Sequence, residues 1–553
     1  MAIKRKRLGE MLIEEGLVTT AQVDEALSAK RNQEKLGDTL LRLGHLTEQQ
    51  LIEALHHQLK IPIITLYNYP LDVSVTKLVS KDIAQRHQLV PVSREDNRLL
   101  IAMADPMDLL AIDDLRLQTG LMIEVGLSTR EEIRRTIMKY YDVDKSLLEL
   151  LDSEEFAELS EREVVAREDA PIIRLVNQIL DSAITQRASD IHLDPQEGSL
   201  TVRIRIDGEL RTENTYPKKI QNVITTRLKV MSELDITESR LPQDGRIKYY
   251  HNEVPYDFRV STLPTVYGEK IVIRILDASN ANISLSKIGF SAKNEHHFRE
   301  MLKRPNGIIL ITGPTGSGKS STLYASLNEL NDETRNIITV EDPVEYQVDG
   351  INQVQVNSKI GLTFASGLRS ILRQDPNVVM VGEIRDIETA EIAIRASLTG
   401  HLVLSTLHTN SAVSSITRLI DMGVEPFLVA ASVTGLVAQR LVRKVCRDCS
   451  EPQPVSKREA ELFAQEGIEA ELVMRGSGCS SCNMTGYRGR LAIQEVIVID
   501  EALRRMIMNQ ASEGEVTAYV KSQGHRLLLA DGLAKVASGV TTTEEILRTV
   551  ITE

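Results

Sequence analysis

Residues 307–330 read GIILITGPTGSGKSSTLYASLNEL. The apolar run Ile308–Ile311 makes a strand, Gly313 to Ser320 fit the spacing G-x-x-x-x-G-K-S, and an amphipathic helix follows. The chemistry needs this order. Glycines let backbone N–H groups curl around phosphate oxygens, and the helix N-terminus adds positive dipole. A lysine neutralises the outer phosphates and a hydroxyl ligates Mg2+. Gly313, Pro314, Thr315, Gly316, Ser317, Gly318, Lys319, Ser320 and Ser321 are therefore the expected ATP-binding loop, with Ser320 on the Mg2+. A chance glycine-rich turn is the plain alternative, but it has no reason to sit between an apolar strand and a helix.

Downstream, NIITVEDPVEY (336–346) is a strand ending in Glu341, Asp342 and Glu345, and DPNVVMVGEIRD (375–386) is a strand ending in Glu383. Acids at strand ends near a phosphate loop supply a base for water and a hold on Mg2+. TGHLVLSTLHTN (399–410) adds His401 and His408 on either side of a further strand. Read as lying at one sheet edge, they give at least one phosphate or water contact. The alternation of apolar strands and helices over 286–445 predicts a doubly wound α/β sheet.

The totals agree with a nucleotide-binding protein of several domains. At 553 residues the chain has room for roughly three to four of them. A net charge of −13 with 26% charged residues argues against broad nucleic-acid binding. The basic start MAIKRKR is followed by no apolar h-region, so no signal peptide is expected. The best apolar stretch, FLVAASVTGLVAQRLV, is broken by Ser, Thr, Gln and Arg. Any membrane link is expected to run through a partner protein.

The four cysteines form Cys446-x-x-Cys449 and Cys479-x-x-Cys482, with 29 residues between the pairs. Two such knuckles make a tetrahedral S4 site that favours structural Zn2+, with a redox C-x-x-C as the rival. The intervening segment is charged and is expected to carry no core of its own.

The N-terminus holds a repeat. KRLGEMLIEEG (6–16) returns as EKLGDTLLRLG (34–44), and Leu8, Gly9, Leu12, Gly16 and Thr19 recur 28 positions on as Leu36, Gly37, Leu40, Gly44 and Thr47. Thr19 with Gln22 and Thr47 with Gln50 fit capping boxes. The expected organisation is a tandem helical repeat over 1–60, a small α/β subdomain over 61–142 and an acidic linker over 143–168. A second α/β domain over 169–285, the ATPase core over 286–445, the tetracysteine element over 446–492 and a helical region over 493–553 complete it.

The set GPTGSGKSS, EDPVE, VGEIRD and TGHLVLSTLHT resembles the secretion and pilus-assembly ATPases of the GspE/PilB family, over residues 170–553. The resemblance implies a RecA-like P-loop ATPase domain preceded by a PAS-like α/β domain, assembled as a homo-hexamer. It implies Glu345 as catalytic base and Glu383 in the Walker B role. It also implies phosphate-binding arginines at Arg259 in DFRVSTLP, Arg274 in IVIRIL, and Arg240 and Arg246 in SRLPQDGR; one or two of the four are expected to be structural. It further implies an inner-membrane platform partner of the PilC/GspF type, a cytoplasmic PilM/GspL-type adaptor, and a place at the cytoplasmic face of the bacterial inner membrane.

The repeat resembles the MshE-like tandem module of some pilus-extension ATPases, which binds cyclic di-GMP. That resemblance points to Arg7, Leu8, Gly9, Leu12 and Gly16 in the first copy and Leu36, Gly37, Leu40 and Gln58 in the second. Lys30 stands where the pattern has Gln, and Lys35 where it has Arg. Lys keeps the charge and loses the planar fork. The bland alternative is a helical docking module. The function implied is a motor for type IV pilus assembly, the mannose-sensitive haemagglutinin type among them. A type II secretion motor is the rival within the family, and a RecA-like DNA translocase or a non-hydrolysing nucleotide sensor the rival outside it.

Overall fold

The computed structural model describes residues 8–30, 34–66, 75, 78–141, 171–277 and 283–551. Arg7 and the whole of 143–168 lie outside them. The chain divides into two compact units, Met1–Ile179 with Lys219–Arg227, and Leu180–Lys218 with Leu228–Glu553.

In the first unit the repeat folds as two helix pairs, Leu8–Glu14 with Thr20–Ser28 and Leu36–Arg42 with Glu48–Leu59. Both capping boxes form, Thr19 with Gln22 and Thr47 with Gln50, so each second helix starts where the hydroxyl satisfies an orphan N–H. Gly9 and Gly37 let the helices approach closely. A Cβ on Gly9 would stand 3.3 Å from Val23, and on Gly37 3.0 Å from Leu51, its counterpart 28 residues on. Leu12, Leu40, Ala26 and Ala54 are fully buried between the pairs. Next, β1 (Leu89–Glu95), β2 (Arg98–Met103) and β3 (Met122–Leu127) form a sheet of order β1-β2-β3, flanked by the helices Lys81–His87, Leu109–Thr119 and Arg130–Tyr141.

The second unit holds two large sheets. The first runs β6-β5-β4-β9-β8-β7 and is antiparallel throughout, built from β4 (Asp190–Pro195), β5 (Ser199–Ile206), β6 (Glu209–Pro217), β7 (Gln243–His251), β8 (Val254–Thr265) and β9 (Gly268–Asp277). Along β5, SLTVRIRI alternates half-buried and buried positions, the period-2 pattern of a sheet with one covered face.

The other sheet runs β12-β11-β13-β14-β10-β15-β18. Its strands are β10 (Gly307–Thr312), β11 (Ile337–Glu341), β12 (Asn352–Gln355), β13 (Val378–Val381), β14 (Leu402–Leu407), β15 (Val433–Val445) and β18 (Tyr487–Val498). All neighbours are parallel except β15 with β18. Every residue of β10 is buried, with Ile308 and Leu310 in one core and Ile309 and Ile311 in the other, as a parallel sheet covered on both faces requires. The broken apolar stretch noted above is the helix Pro426–Ser432 running into β15. Among the described residues no helix is long and apolar enough to cross a membrane.

Between the cysteine pairs, β16 (Ser450–Pro454) and β17 (Leu472–Gly476) pair antiparallel around the helix Lys457–Gln465. Here the structure corrects the expectation of a segment without a core. Phe463 and Val473 are each 2% exposed and join the main hydrophobic cluster.

Candidate functional site

Parallel strands end together, and this gathers the chemistry. β10 pairs with β14 so that Thr312 faces Leu407, β14 with β13 so that Ser405 faces Val381, and β13 with β11 so that Val381 faces Val340. The phosphate loop, His408, Glu383 and the Glu341–Glu345 turn thus leave the sheet at one edge, the edge where open α/β sheets bind ligands. Gly313, Gly316 and Gly318 all take positive φ. A Cβ on Gly318 would lie 2.9 Å from Gln439 Nε2, and on Gly313 2.5 Å from the Gln439 carbonyl. The helix Lys319–Leu330 starts directly after the loop.

Lys319 folds back, its Nζ donating to the carbonyls of Gly313 at 2.7 Å and Pro314 at 3.0 Å. Burial pulls its pKa down to about 8; Glu383 offsets part of this and Arg440 adds to it. Glu383 is held by Arg385 at 2.5 Å and lies 3.3 Å from His408 Nε2. Burial opposes its ionisation, but the Arg385 hydrogen bond and charge, with His408, outweigh it and hold the carboxyl below the usual range.

Three of the four expected arginines share a face. Arg246 on β7 is directly opposed to Arg259 on β8, and Arg259 to Arg274 on β9. They line a cavity of about 480 Å3 whose wall includes Pro343 of the acidic turn. The row continues to Asp190 on β4, whose Oδ1 lies 3.2 Å from Arg274 Nε. Arg259 reaches the turn itself. Its Nη1 is 2.7 Å from Glu345 Oε2, an ion pair off the hydrogen-bonding line, and its Nη2 donates to the Val344 carbonyl at 2.5 Å. The Nε of Arg259 is buried without a hydrogen-bond partner among the described residues.

Other expectations are corrected. His401 does not share an edge with His408. It precedes β14, opposite Gly307 rather than the phosphate loop, and its Nδ1 bonds the Ala396 carbonyl at 2.8 Å. Arg240 is outside the arginine cavity, 86% exposed and paired with Glu238. Glu341 is 4% exposed and accepts from Tyr324, Thr339 and Gln353, so it is held within the protein rather than presented to a cation.

Sequence reading missed Gln439 and Arg440. Gln439 accepts from Thr322 Oγ1 at 2.8 Å and donates to the Ser317 carbonyl at 2.9 Å, bracing the phosphate loop from β15. The signal was present: two long polar residues inside an apolar strand, both buried.

The cysteines meet. All four Sγ atoms lie within 4.8 Å of one another, with Cys446–Cys479 and Cys449–Cys482 at 3.8 Å and Cys479–Cys482 at 3.7 Å. A tetrahedron of sulfurs about 2.3 Å from a central Zn2+ has edges of about 3.8 Å. Backbone N–H groups of Gly478 and Cys479 point at Cys449 and Cys482.

In the first unit, a cavity of about 320 Å3 lies between the second helix pair and the β1–β3 subdomain. Leu8, Lys35, Gly37 and Gln58 line it, joined by Asp38, Asp105 and Arg130, which the sequence did not single out. Lys35 pairs with Asp105, and Arg130 with Asp38. Among the described residues the two copies are not used alike: only Leu8 comes from the first. Leu12 and Leu40 are core rather than ligand surface, Gly9 packs a helix, Gly16 ends one at positive φ, and Lys30 is exposed outside the cavity.

Comparison with known proteins fits this geometry. The family model "Type II/IV secretion system protein" matches residues 165–548, and the MshEN domain model matches 59–147. The chain belongs to the type II/IV secretion ATPase family. It is an ATP hydrolase of the GspE/PilB kind with an MshE-like N-terminal domain. It is 44% identical to the type IV pilus assembly ATPase PilB of Myxococcus xanthus, over 98% of each chain. It is 41% identical to type II secretion system protein E of Xanthomonas campestris, over 98% of this chain and 99% of that one. The solved Legionella pneumophila ATPase DotB shares the fold, with a TM-score of 0.51 and 23% identity over 68% of this chain and 94% of that one.

Proposed function

We propose that this chain is the ATP-driven motor of a type IV pilus, working as a homo-hexamer at the cytoplasmic face of the inner membrane against a platform protein of the PilC/GspF type and a PilM/GspL-type adaptor. The observation that carries the reading is the meeting at one sheet edge of Lys319, Glu383 and a Glu345 held by Arg259. Lys319 takes the β and γ phosphates, and Ser320 and Glu383 hold Mg2+. Glu345 is the base for water, and Arg246, Arg259 and Arg274 meet the charge that develops on the phosphoryl group. The buried Nε of Arg259, without a hydrogen-bond partner among the described residues, suits a phosphate oxygen.

The cysteine tetrahedron would hold one structural Zn2+, leaving no open coordination position for chemistry. The cavity beside the second repeat copy would take cyclic di-GMP: Lys35 and Arg130 suit its phosphates, Leu51 and Leu55 a purine face, and Gln58 with the carboxylates of Asp38 and Asp105 the guanine edges.

The likeness to a secretion ATPase over the same full length makes type II secretion the second reading, since the tandem repeat does not separate the two. A strain carrying Glu345→Gln in place of the native chain separates them. Loss of surface pili with normal exoprotein export supports the proposal, and the reverse pattern supports secretion. Metal analysis of the purified chain tests the cysteine site: one zinc per chain is expected, and none with Cys449→Ser.

A further inference from the structure

The geometry points to Tyr324 as the positioning residue for Glu345. This rests on the reading of Glu345 as base and adds the group that fixes it. Tyr324 lies on the helix that begins at Lys319, so it belongs to the element that grips the nucleotide, and it is 2% exposed. Its hydroxyl is 2.5 Å from Glu341 Oε2. The backbone N–H groups of Glu345 and Tyr346 both reach the same hydroxyl oxygen, each at 3.3 Å.

The directions of these bonds are fixed by chemistry. An ionised carboxylate only accepts, so the phenol proton goes to Glu341 and the phenol's lone pairs face the two N–H groups of the turn. Glu341 is held in turn. Thr339 Oγ1 donates to its Oε1 at 2.6 Å and Gln353 Nε2 at 3.2 Å, while Gln353 also bonds the Tyr346 carbonyl at 2.9 Å and the Val348 N–H at 2.9 Å. The Tyr346 ring stands edge-on to Tyr324 at 5.6 Å. Burial, with the Glu341 charge and hydrogen bond, raises the phenol's pKa, so it keeps its proton across the working range.

The result is a strap from the nucleotide helix, through one hydroxyl, to the main chain of the proposed base. Buried Glu341 serves that strap rather than a cation. A base acts only within about 0.5 Å of its productive position. Losing the hydroxyl therefore leaves nucleotide binding intact and misplaces Glu345.

The test uses the full chain, with ATP turnover and the binding of a fluorescent ATP analogue measured side by side. Tyr324→Phe removes one oxygen from a buried ring, and its melting temperature checks the fold. The expected result is a fall in kcat on the order of tenfold with KM and analogue affinity unchanged. Glu341→Gln keeps the phenol but removes the charge that orients its proton, and gives a smaller loss in the same direction. Combining Tyr324→Phe with Glu345→Gln gives no loss beyond Glu345→Gln alone, because both act on one group. A kcat within twofold of the parent overturns the proposal. So does a parallel loss of affinity, or full additivity in the double variant. Separately, undiminished turnover by Glu345→Gln overturns the reading of Glu345 itself, whatever Tyr324→Phe does.

Discussion

Arg259 and Glu345 are in contact across 2.7 Å, and the same guanidinium donates to the carbonyl of Val344. The acidic turn is thus tied to the arginine face by the residue placed best to meet a phosphate. Triphosphate oxygens compete with the Glu345 carboxylate for the same guanidinium donors. Nucleotide arrival would release Glu345 as it engages Arg259.

Arg259→Ala removes both roles, and we expect turnover to fall about a thousandfold, the lower end of the range such arginines contribute. Arg259→Lys should rescue little, because an ammonium cannot span carbonyl and phosphate as a planar fork does. Arg240→Ala, outside the cavity and paired with Glu238, should stay within about twofold in a monomer-level assay of ATP binding. Steady-state turnover and nucleotide titration of the three variants check this. A loss in Arg240→Ala equal to that in Arg259→Ala would put the phosphate contact elsewhere.

Lys319 carries a pH signature. Its pKa in the nucleotide-free chain is about 8, set chiefly by burial. Triphosphate favours the charged amine, so the bound pKa is higher than the free one. Between the two values nucleotide binding takes up a proton, and affinity falls as pH rises above about 8. Calorimetric titration at pH 7 and pH 9 in buffers of different ionisation heat measures the proton directly. Affinity independent of pH across that interval would mean that the amine is already free of its desolvation.

The phosphate loop and the cysteine site were legible because their chemistry is carried by short motifs: eight consecutive residues make the loop, and each half of the cysteine site is one C-x-x-C pair. Three kinds of feature were not. Direction was lost at His401 and His408, where the six residues of β14 put the two rings at opposite ends of a strand. Burial was lost at Leu12 and Leu40, since a motif leucine reads the same whether it faces a ligand or the core. Register was lost for Arg246, Arg259 and Arg274, whose shared face follows from antiparallel pairing. Tyr324 and Gln439 escaped for a related reason, as their partners are distant in sequence: Glu341, Glu345 and Tyr346 for Tyr324, and the phosphate loop and its helix for Gln439.

The repeat gives a prediction that divides the two copies. The cavity is lined by Lys35 and Gln58, while Lys30, the first-copy counterpart of Gln58, is exposed outside it. In titrations of cyclic di-GMP into the full chain, Gln58→Ala and Lys35→Ala should each weaken binding about tenfold, at the cost of roughly one charge-assisted or amide hydrogen bond. Lys30→Ala should leave it unchanged. Asp105→Ala releases Lys35 from its ion pair and also removes a carboxylate from the wall, so its effect reports which of the two matters more to the ligand. Equal losses at Lys30 and Gln58 would restore a symmetric site made by both copies.

Glu495 offers a test of stability away from the chemistry. It sits on β18 opposite Ala438, 2% exposed, with Oε1 lacking a hydrogen-bond partner among the described residues. Burial pushes its pKa up to about 7 and Glu513 adds to this, while the Ala412 N–H and Arg440 offset part. The folded chain therefore binds more protons here than the unfolded chain between pH 4.5 and about 7. Stability is lost as pH rises through that window, by about 3 kcal/mol in full. Glu495→Gln keeps the shape and removes the charge. We expect a higher melting temperature than the parent at pH 8 and little difference at pH 5, where the parent carboxyl is already neutral. An equal shift at both pH values would mean that the substitution changes packing, and that the buried charge carries no such cost.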